Sequence, residues 1–444
     1  MLSQQAIPEC SRALGHRSSI DMLACAFWPN SKDCEARLTN LFEHYLSYGS
    51  TDQQTMRDLA ADFDGLVVPG TIAAFQAEGT RGFVLSLSAR SSDPYMIDSR
   101  FPLFQNQLRS PKKAHLMLAD VLGVPELVHS NQLPTPSDFT DSLIDTVAQR
   151  WIEFNVGFDD VKLKTFDKYA ARLNEPVLPE NRQGPLAILP PYTMVGDRGD
   201  GWASVSDRLW EASMAYATSN AVSIPLRRVI AATSAGMWDD IAATVKHHEL
   251  IAWISDLEEF RPESAVELYA YGQAIQRATD RGQRVFALYG GFFSVLLARY
   301  GLVGSSHGIG FGEHRDYVEL PTSGAPPARY YVPRLHKYVP VDIAQILWLQ
   351  FPQLMACECE ECRTNAPASL DYHALMRHSV RARSREIAEW ATLPTSDVVD
   401  RLGRDFADFQ EAVSRLVAPL NVTKRADDMY GHLQMWAGIL QNLG

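Results

Sequence analysis

The chain has no apolar run approaching the ~18–20 residues that a membrane-spanning helix needs. Its opening Met1-Leu-Ser-Gln-Gln lacks the basic start and apolar core of a signal peptide, so a cytoplasmic protein is expected. Cysteine is scarce, with six in 444 residues, too few for a disulfide framework. Positive charge is also short: 41 basic against 53 acidic residues leave a net charge of −12. A protein that coats nucleic acid non-specifically needs a positive face to release counterions, so that class is excluded, though a local basic site is not. No G-x-G-x-x-G opens an early helix, which argues against a dinucleotide-binding fold. There is no internal repeat and no low-complexity segment.

What is present is uneven. Three of the six thiols lie in Cys357-Glu-Cys359-Glu-Glu-Cys362, and pairing them as disulfides would leave one over. Their side chains can instead converge on one tetrahedral ion, and a histidine from the next element would complete a closed Cys3His structural zinc site that holds no reactive water. Two histidines follow. His373 and His378 lie at opposite edges of one apolar helix face (Tyr372, Leu375, Met376, Ile387, Trp390), so periodicity does not choose between them. His378 is preferred because it leaves more chain to turn back onto the thiols. Clustered thiols fit a reducing compartment. Cys10, Cys25 and Cys34 read as ordinary thiols.

Composition of 46% apolar residues supports a large core. Residues 1–60 read as a mixed segment, with a strand candidate at Met22–Phe27 and a helix from Cys34 to Tyr48. Beyond them, short apolar runs ending in Gly, Pro, Ser or Asp alternate with helical patterns, as expected of strands buried on both faces. The runs are Gly65–Pro69, Gly82–Ser88, Tyr95–Asp98, Leu186–Pro190, Arg228–Thr233, Leu250–Ser255, Arg284–Tyr289 and Gly301–Ser305. Their number favours an α/β fold of the (β/α)8 TIM-barrel type over 61–350, with a helical insertion at about 100–180. Residues 351–444 form the expected zinc-binding helical subdomain, broken at Pro367, Pro394 and Pro419.

A barrel does its chemistry just past the C-terminal ends of its strands, which narrows the candidates. Asp98 and Asp256 could serve as nucleophile and general acid/base, with His307 as a further proton-transfer group. Gly290 and Gly291 before the helix at Phe292, and Gly308 and Gly310 with Glu313 and Arg315, are expected to bind substrate or phosphate. His307, Glu313 and His314 could alternatively hold a catalytic metal, but too many glycines separate them for a helical motif. Basic residues gather at Arg109–Lys113, Arg329–Lys337 and Arg377–Arg385, the middle cluster interleaved with aromatics as suits phosphates and unstacked bases.

Three stretches together resemble the tRNA-guanine transglycosylase superfamily, including its DNA-acting relatives that insert 7-deazaguanine bases. Ile97-Asp98-Ser99-Arg100-Phe101-Pro-Leu-Phe-Gln105 is similar to that family's D-S-G-G-F-Q segment. Leu288–Leu302 is similar to the strand–helix–strand step before the family's nucleophile, and the cysteine run is the third. The resemblance covers roughly residues 60–390. It implies a transferase that exchanges guanine for a 7-deazaguanine-type base in tRNA or DNA, with Asp98 as acid/base and a structural Zn2+. Two departures stand out. Gly304-Ser305-Ser306-His307-Gly308 has no carboxylate where the family carries its nucleophile, so that role would pass to Asp256, and Arg100 and Phe101 replace the two glycines. A member that binds nucleic acid or a 7-deazapurine without base exchange is the alternative.

Overall fold

In a computed structural model of the chain, residues 42–444 are described, apart from 92, 109, 130–131, 174, 256, 311–312, 314 and 318–327. Nine strands form one parallel sheet: β1 Glu43–Ser47, β2 Gly65–Pro69, β3 Tyr95–Asp98, β4 Ala187–Ile188, β5 Met194–Val195, β6 Arg228–Ala232, β7 Glu249–Ile254, β8 Arg284–Ala287 and β9 Leu302–His307. Their spatial order is β4-β3-β2-β1-β9-β8-β7-β6-β5. The sheet is curled. Ile188 of β4 accepts a hydrogen bond from Arg227 N (3.0 Å) and donates to Pro225 O (2.9 Å), so one end of the sheet reaches the chain that leads into β6.

Alternation along the strands explains the two layers of core. Tyr45, Val67, Met96, Leu189, Ile251, Trp253 and Phe286 pack together on one face. Their neighbours Leu46, Val68, Ile97, Ala252 and Ile254 face the helices. Successive side chains on a strand point to opposite faces, so burying both faces demands near-continuous apolar runs. Each large side chain so buried stabilises the fold by roughly 1.5–3 kcal/mol.

Two local readings change. The run Gly82–Ser88 lies inside the helix Ala77–Ser91, in which Phe83, Val84, Leu85 and Leu87 are all buried. A continuous apolar run fits a buried helix as well as a buried strand, and here Gly82 lets Tyr169 and Thr165 approach. Conversely, Glu43–Ser47 is a strand that pairs with β2 and β9, not the end of a helix. The sheet therefore begins before residue 61. Cys10, Cys25, Cys34 and the strand candidate at Met22–Phe27 lie outside the described residues.

Helices Lys113–Leu122, Pro125–His129, Asp141–Val156 and Leu163–Ala170 fill the long connection between β3 and β4. It is anchored by Trp151 Nε1, which donates to Leu189 O at 2.7 Å. After the cysteines come helices Tyr372–Trp390, Thr395–Ser414, Leu420–Asp427 and Gly431–Leu443. Pro394 and Pro419 stand at the N-caps of the second and third, where a missing N–H costs nothing. These helices are sewn to the sheet unit through Trp436 Nε1 to Glu259 O (2.9 Å) and Tyr300 Oη to Leu440 O (3.1 Å). Among the described residues no helix is long and apolar enough to cross a membrane.

Candidate functional site

Two sites are built around the sheet. The first is the cysteine cluster. Cys357, Cys359, Cys362 and His378 bring one ligand atom each within 4.8 Å of one another, a set that can hold a metal ion. His378 Nδ1 lies 3.6, 3.4 and 3.3 Å from the three Sγ atoms in chain order. A tetrahedral ion bound at ~2.3 Å by sulfur and ~2.0 Å by nitrogen holds such atoms about 3.6 Å apart. The surroundings prepare the ring for that role. His378 Nε2 is 2.6 Å from Tyr331 O; a carbonyl only accepts, so Nε2 carries the hydrogen and Nδ1 presents its lone pair inward. Tyr330 stacks on the imidazole at 4.4 Å between centroids and its hydroxyl lies 3.3 Å from Cys362 Sγ. His373 is not in the cluster.

Asp371 caps the ligand-bearing helix Tyr372–Trp390 by accepting from Ala374 N at 2.8 Å. Glu361, inside the cysteine run, ties the same helix down through Arg377 Nε (2.7 Å) and Arg381 Nη1 (3.1 Å). The basic cluster on this helix is thereby spent internally. Arg381 also meets Glu360, and Arg383 meets Glu313. In the neighbouring cluster Arg334 is held by Asp405 and Asp408. Arg109 lies outside the described residues.

The second site surrounds Asp98 at the end of β3. Its side chain is fully buried, and both carboxylate oxygens are engaged. Tyr192 Oη donates to Oδ1 at 2.6 Å, Arg100 N donates to Oδ1 at 3.0 Å, and Tyr289 Oη donates to Oδ2. Arg100 Nη1 donates to Tyr289 Oη at 3.1 Å, and its guanidinium lies 5.2 Å from the Trp253 ring centre. Burial, then the neighbouring Asp98, pushes the Tyr289 phenol up to about 12, and the same two causes raise Tyr192. Both phenols are therefore donors at neutral pH. Backbone strain collects here too. Among the described residues four non-glycine residues have left-handed φ, and two of them, Arg100 (53°) and Tyr289 (58°), meet at Asp98. Such strain persists where the surroundings enforce it, commonly at functional sites.

The other expected site residues are placed differently. His307 does not face Asp98. Register pairs it with Leu46, a residue of the helix-facing core, and it stacks on His44 with Nε2 atoms 2.8 Å apart. His44 Nδ1 and His307 Nδ1 both point at carbonyls, at 3.1 and 2.9 Å, while burial lowers both pKa values, that of His44 to about 3. On β9, Ser306 meets this cluster: its Oγ accepts from Tyr289 N at 3.3 Å. Asp256 and His314 lie outside the described residues.

Nor do Gly290 and Gly291 present a free cradle. Glu259 already fills the start of the helix Phe292–Leu296, accepting from Gly291 N (2.9 Å) and Phe293 N (3.0 Å). A Cβ on Gly291 would come within 2.5 Å of that carboxylate, so the glycine serves close packing of an internal anion. Gly308 O receives the His307 Nδ1 contact, and Gly310 (φ 73°) donates to Tyr338 Oη at 3.2 Å. Glu313 is buried and receives Arg383 Nη2 at 2.6 Å. Arg315 alone of this group stands at the Asp98 cluster, its guanidinium 4.9 Å from the Tyr289 ring centre. Sequence reasoning passed over Tyr289 and Arg100 as functional side chains. The usable signal was position: each lies two residues beyond a strand end.

Glu259 makes a pH test. Burial pushes its pKa from 4.5 to about 7, against the pull of its backbone donors and Arg383. A raised carboxyl binds its proton more tightly in the folded state, so its contribution to stability is complete below about pH 4.5 and is lost as pH rises through about 7. Across that window the thermal midpoint of the wild type is expected to fall relative to that of Glu259→Gln, because the buried histidines His44 and His307, which act with the opposite sign, are common to both proteins. A difference between the two midpoints that does not change with pH would refute the assignment.

A comparison of the sequence with family profiles and with curated proteins finds no match to either.

Proposed function

We propose that this chain is a zinc-stabilised (β/α)8 protein of transglycosylase type that binds a purine nucleotide or nucleic acid at the C-terminal mouth of its sheet without exchanging the base. The observation that carries this reading is the state of Asp98. A carboxylate that protonates or deprotonates a departing base must reach it; this one is buried, with Tyr192, Tyr289 and Arg100 around both oxygens.

Several features support the type. The bridge from Ile188 to Leu226 ties β4, one end of the sheet, to the chain that leads into β6, and counting β4 and β5 as one broken strand would give eight positions. Arg100 holds a left-handed φ of 53°, a conformation natural to glycine, at the position where the resembling segment has one. Three thiols and an imidazole are the donor set of closed structural zinc sites. The same side chains then explain the change of role. Arg100 lies over Trp253 and fills the space beside Asp98, and the strand-end position that faces this cluster carries Ser306 instead of a carboxylate. When bound, zinc would supply rigidity to the helix Tyr372–Trp390. The chain's own residues bind and orient the ligand.

The test is base exchange. Metal-loaded protein is mixed with labelled guanine or 7-deazaguanine precursors, with tRNA and duplex DNA in parallel, and retention of unlabelled nucleotide and oligonucleotide is measured alongside. Binding with no label incorporated into either polymer is the expected result. Incorporation into either would sink this reading and restore the transferase.

A further inference from the structure

We infer that Arg315, backed by Arg100, forms a phosphate subsite at the mouth of the sheet, taking a phosphate of a nucleotide-bearing ligand. The inference deepens the binding reading above and rests on it for the identity of the ligand, but its observations are separate.

The backbone that carries Arg315 is held on every side. Trp253 Nε1 donates to Arg315 O at 3.1 Å. Ser255 Oγ donates to Asp316 Oδ1 at 2.9 Å and accepts from Tyr317 N at 3.2 Å. Asn106 Nδ2 donates to Tyr317 O at 3.1 Å. Thus three residues, 315–317, are pinned to β7, to its C-terminal continuation and to the segment after β3. The head group is the opposite. Among the described residues the Arg315 guanidinium makes no hydrogen bond or ion pair; it lies over the face of Tyr289 at 4.9 Å, within the field of Arg100 and Asp98. A fixed stem with an unengaged, half-buried fork is the arrangement of a recognition residue, because little freedom is lost when a ligand arrives.

Charge points the same way. Asp98 is the carboxylate of this cluster, and it already faces Arg100 at 4.0 Å together with two phenols. The nearby acids are otherwise engaged, Glu313 by Arg383 and Asp316 by Ser255. Among the described residues two guanidiniums face one carboxylate here, which leaves a positive charge in a partly desolvated place, and burial accordingly lowers the Arg315 pKa. An oxyanion at the mouth would relieve that cost. The planar fork of arginine matches phosphate in two-point geometry, and loops after the last strands of a barrel are a usual place for phosphate. Glycine N–H groups, the expected cradle, are instead taken up by Glu259.

The experiment uses full-length, metal-loaded protein and four probes: inorganic phosphate, guanosine, guanosine monophosphate and a 5′-phosphorylated single-stranded oligonucleotide. Binding is measured calorimetrically for wild type, Arg315→Gln and Arg315→Lys, with thermal transition and metal content confirming that each variant is folded. The monophosphate should bind roughly tenfold or more tighter than guanosine in the wild type, and Arg315→Gln should remove that difference without changing guanosine. Arg315→Lys should fall between, keeping the charge and losing the fork. Oligonucleotide binding that exceeds the monophosphate and depends on Arg315 assigns the phosphate to a polymer. Binding of inorganic phosphate alone, lost in Arg315→Gln, keeps the subsite and overturns the nucleotide reading. Equal binding of phosphorylated probes by wild type and Arg315→Gln overturns the inference.

Discussion

Stripping the Cys357/Cys359/Cys362/His378 cluster with a chelator, or Cys359→Ser, is expected to abolish the cooperative unfolding transition of the chain's C-terminal helices. Cys359 and His378 are both fully buried, so without an ion a buried thiol and imidazole keep only the weak S–N contact of 3.4 Å between them. Structural zinc contributes an apparent ~10–16 kcal/mol in small domains, as large as the ~5–15 kcal/mol that separates most folded proteins from unfolded chains. The effect should spread beyond the cluster. Tyr331, whose carbonyl orients His378, belongs to the hairpin β10 Arg329–Val332 and β11 Lys337–Pro340, and its hydroxyl donates to Glu386 at 2.7 Å. Metal content by mass spectrometry, with circular dichroism before and after chelation, makes the measurement. A stripped protein that melts as the loaded one does would show that the four side chains do not bear on the fold.

Arg383→Met is expected to cost about 3–5 kcal/mol, the range for breaking a buried ion pair by removing one partner. Arg383 is almost fully buried. It donates to Glu313 at 2.6 Å and Tyr331 Oη at 3.0 Å, and lies 3.3 Å from Glu386. Its loss leaves two buried acids facing each other across an apolar methionine. Glu386 is the milder problem, since burial already pushes its pKa up to about 8, so it takes a proton readily. Glu313 loses the contact that Arg383 Nη2 donates to it at 2.6 Å. Adding Glu313→Gln and Glu386→Gln to Arg383→Met should therefore recover much of the loss. Denaturant unfolding of the wild type, Arg383→Met and the triple variant measures it. A single variant within about 0.5 kcal/mol of wild type would mean that solvent reaches this network.

This network also shows why the fold and the candidate site were unequally legible. Alternating apolar runs and helical patterns pointed to an α/β protein because burial on two faces imposes composition directly on each strand. Eight strand candidates were read for the sheet from sequence, but one was a helix and both β1 and β5 went unread. Tyr45 and Leu46 lie on opposite faces of β1, in separate layers of the core, and in sequence they look like neighbours on a helix. The aspartate at the end of β3 was visible from its place beyond an apolar run. Its condition was not, because Arg100 and Tyr289 meet across a separation of 189 residues.

The sequence by itself determined which cysteines form the cluster that can hold a metal ion. Three thiols spaced C-x-C-x2-C converge through local chain geometry, and nothing distant is needed to bring them together. It also determined that strands and helices alternate, since each element must bury its own apolar residues. Tertiary structure decided the rest. It selected His378 over His373, because only His378 has Tyr331 O behind its Nε2. It turned His307 away from Asp98, because the register of β9 on β1 sets which face each residue takes. It placed Glu259 where phosphate was expected and left Arg315 unengaged beside Tyr289. Strand register and long-range packing follow from the whole chain's competition for burial, and no local spacing encodes the outcome.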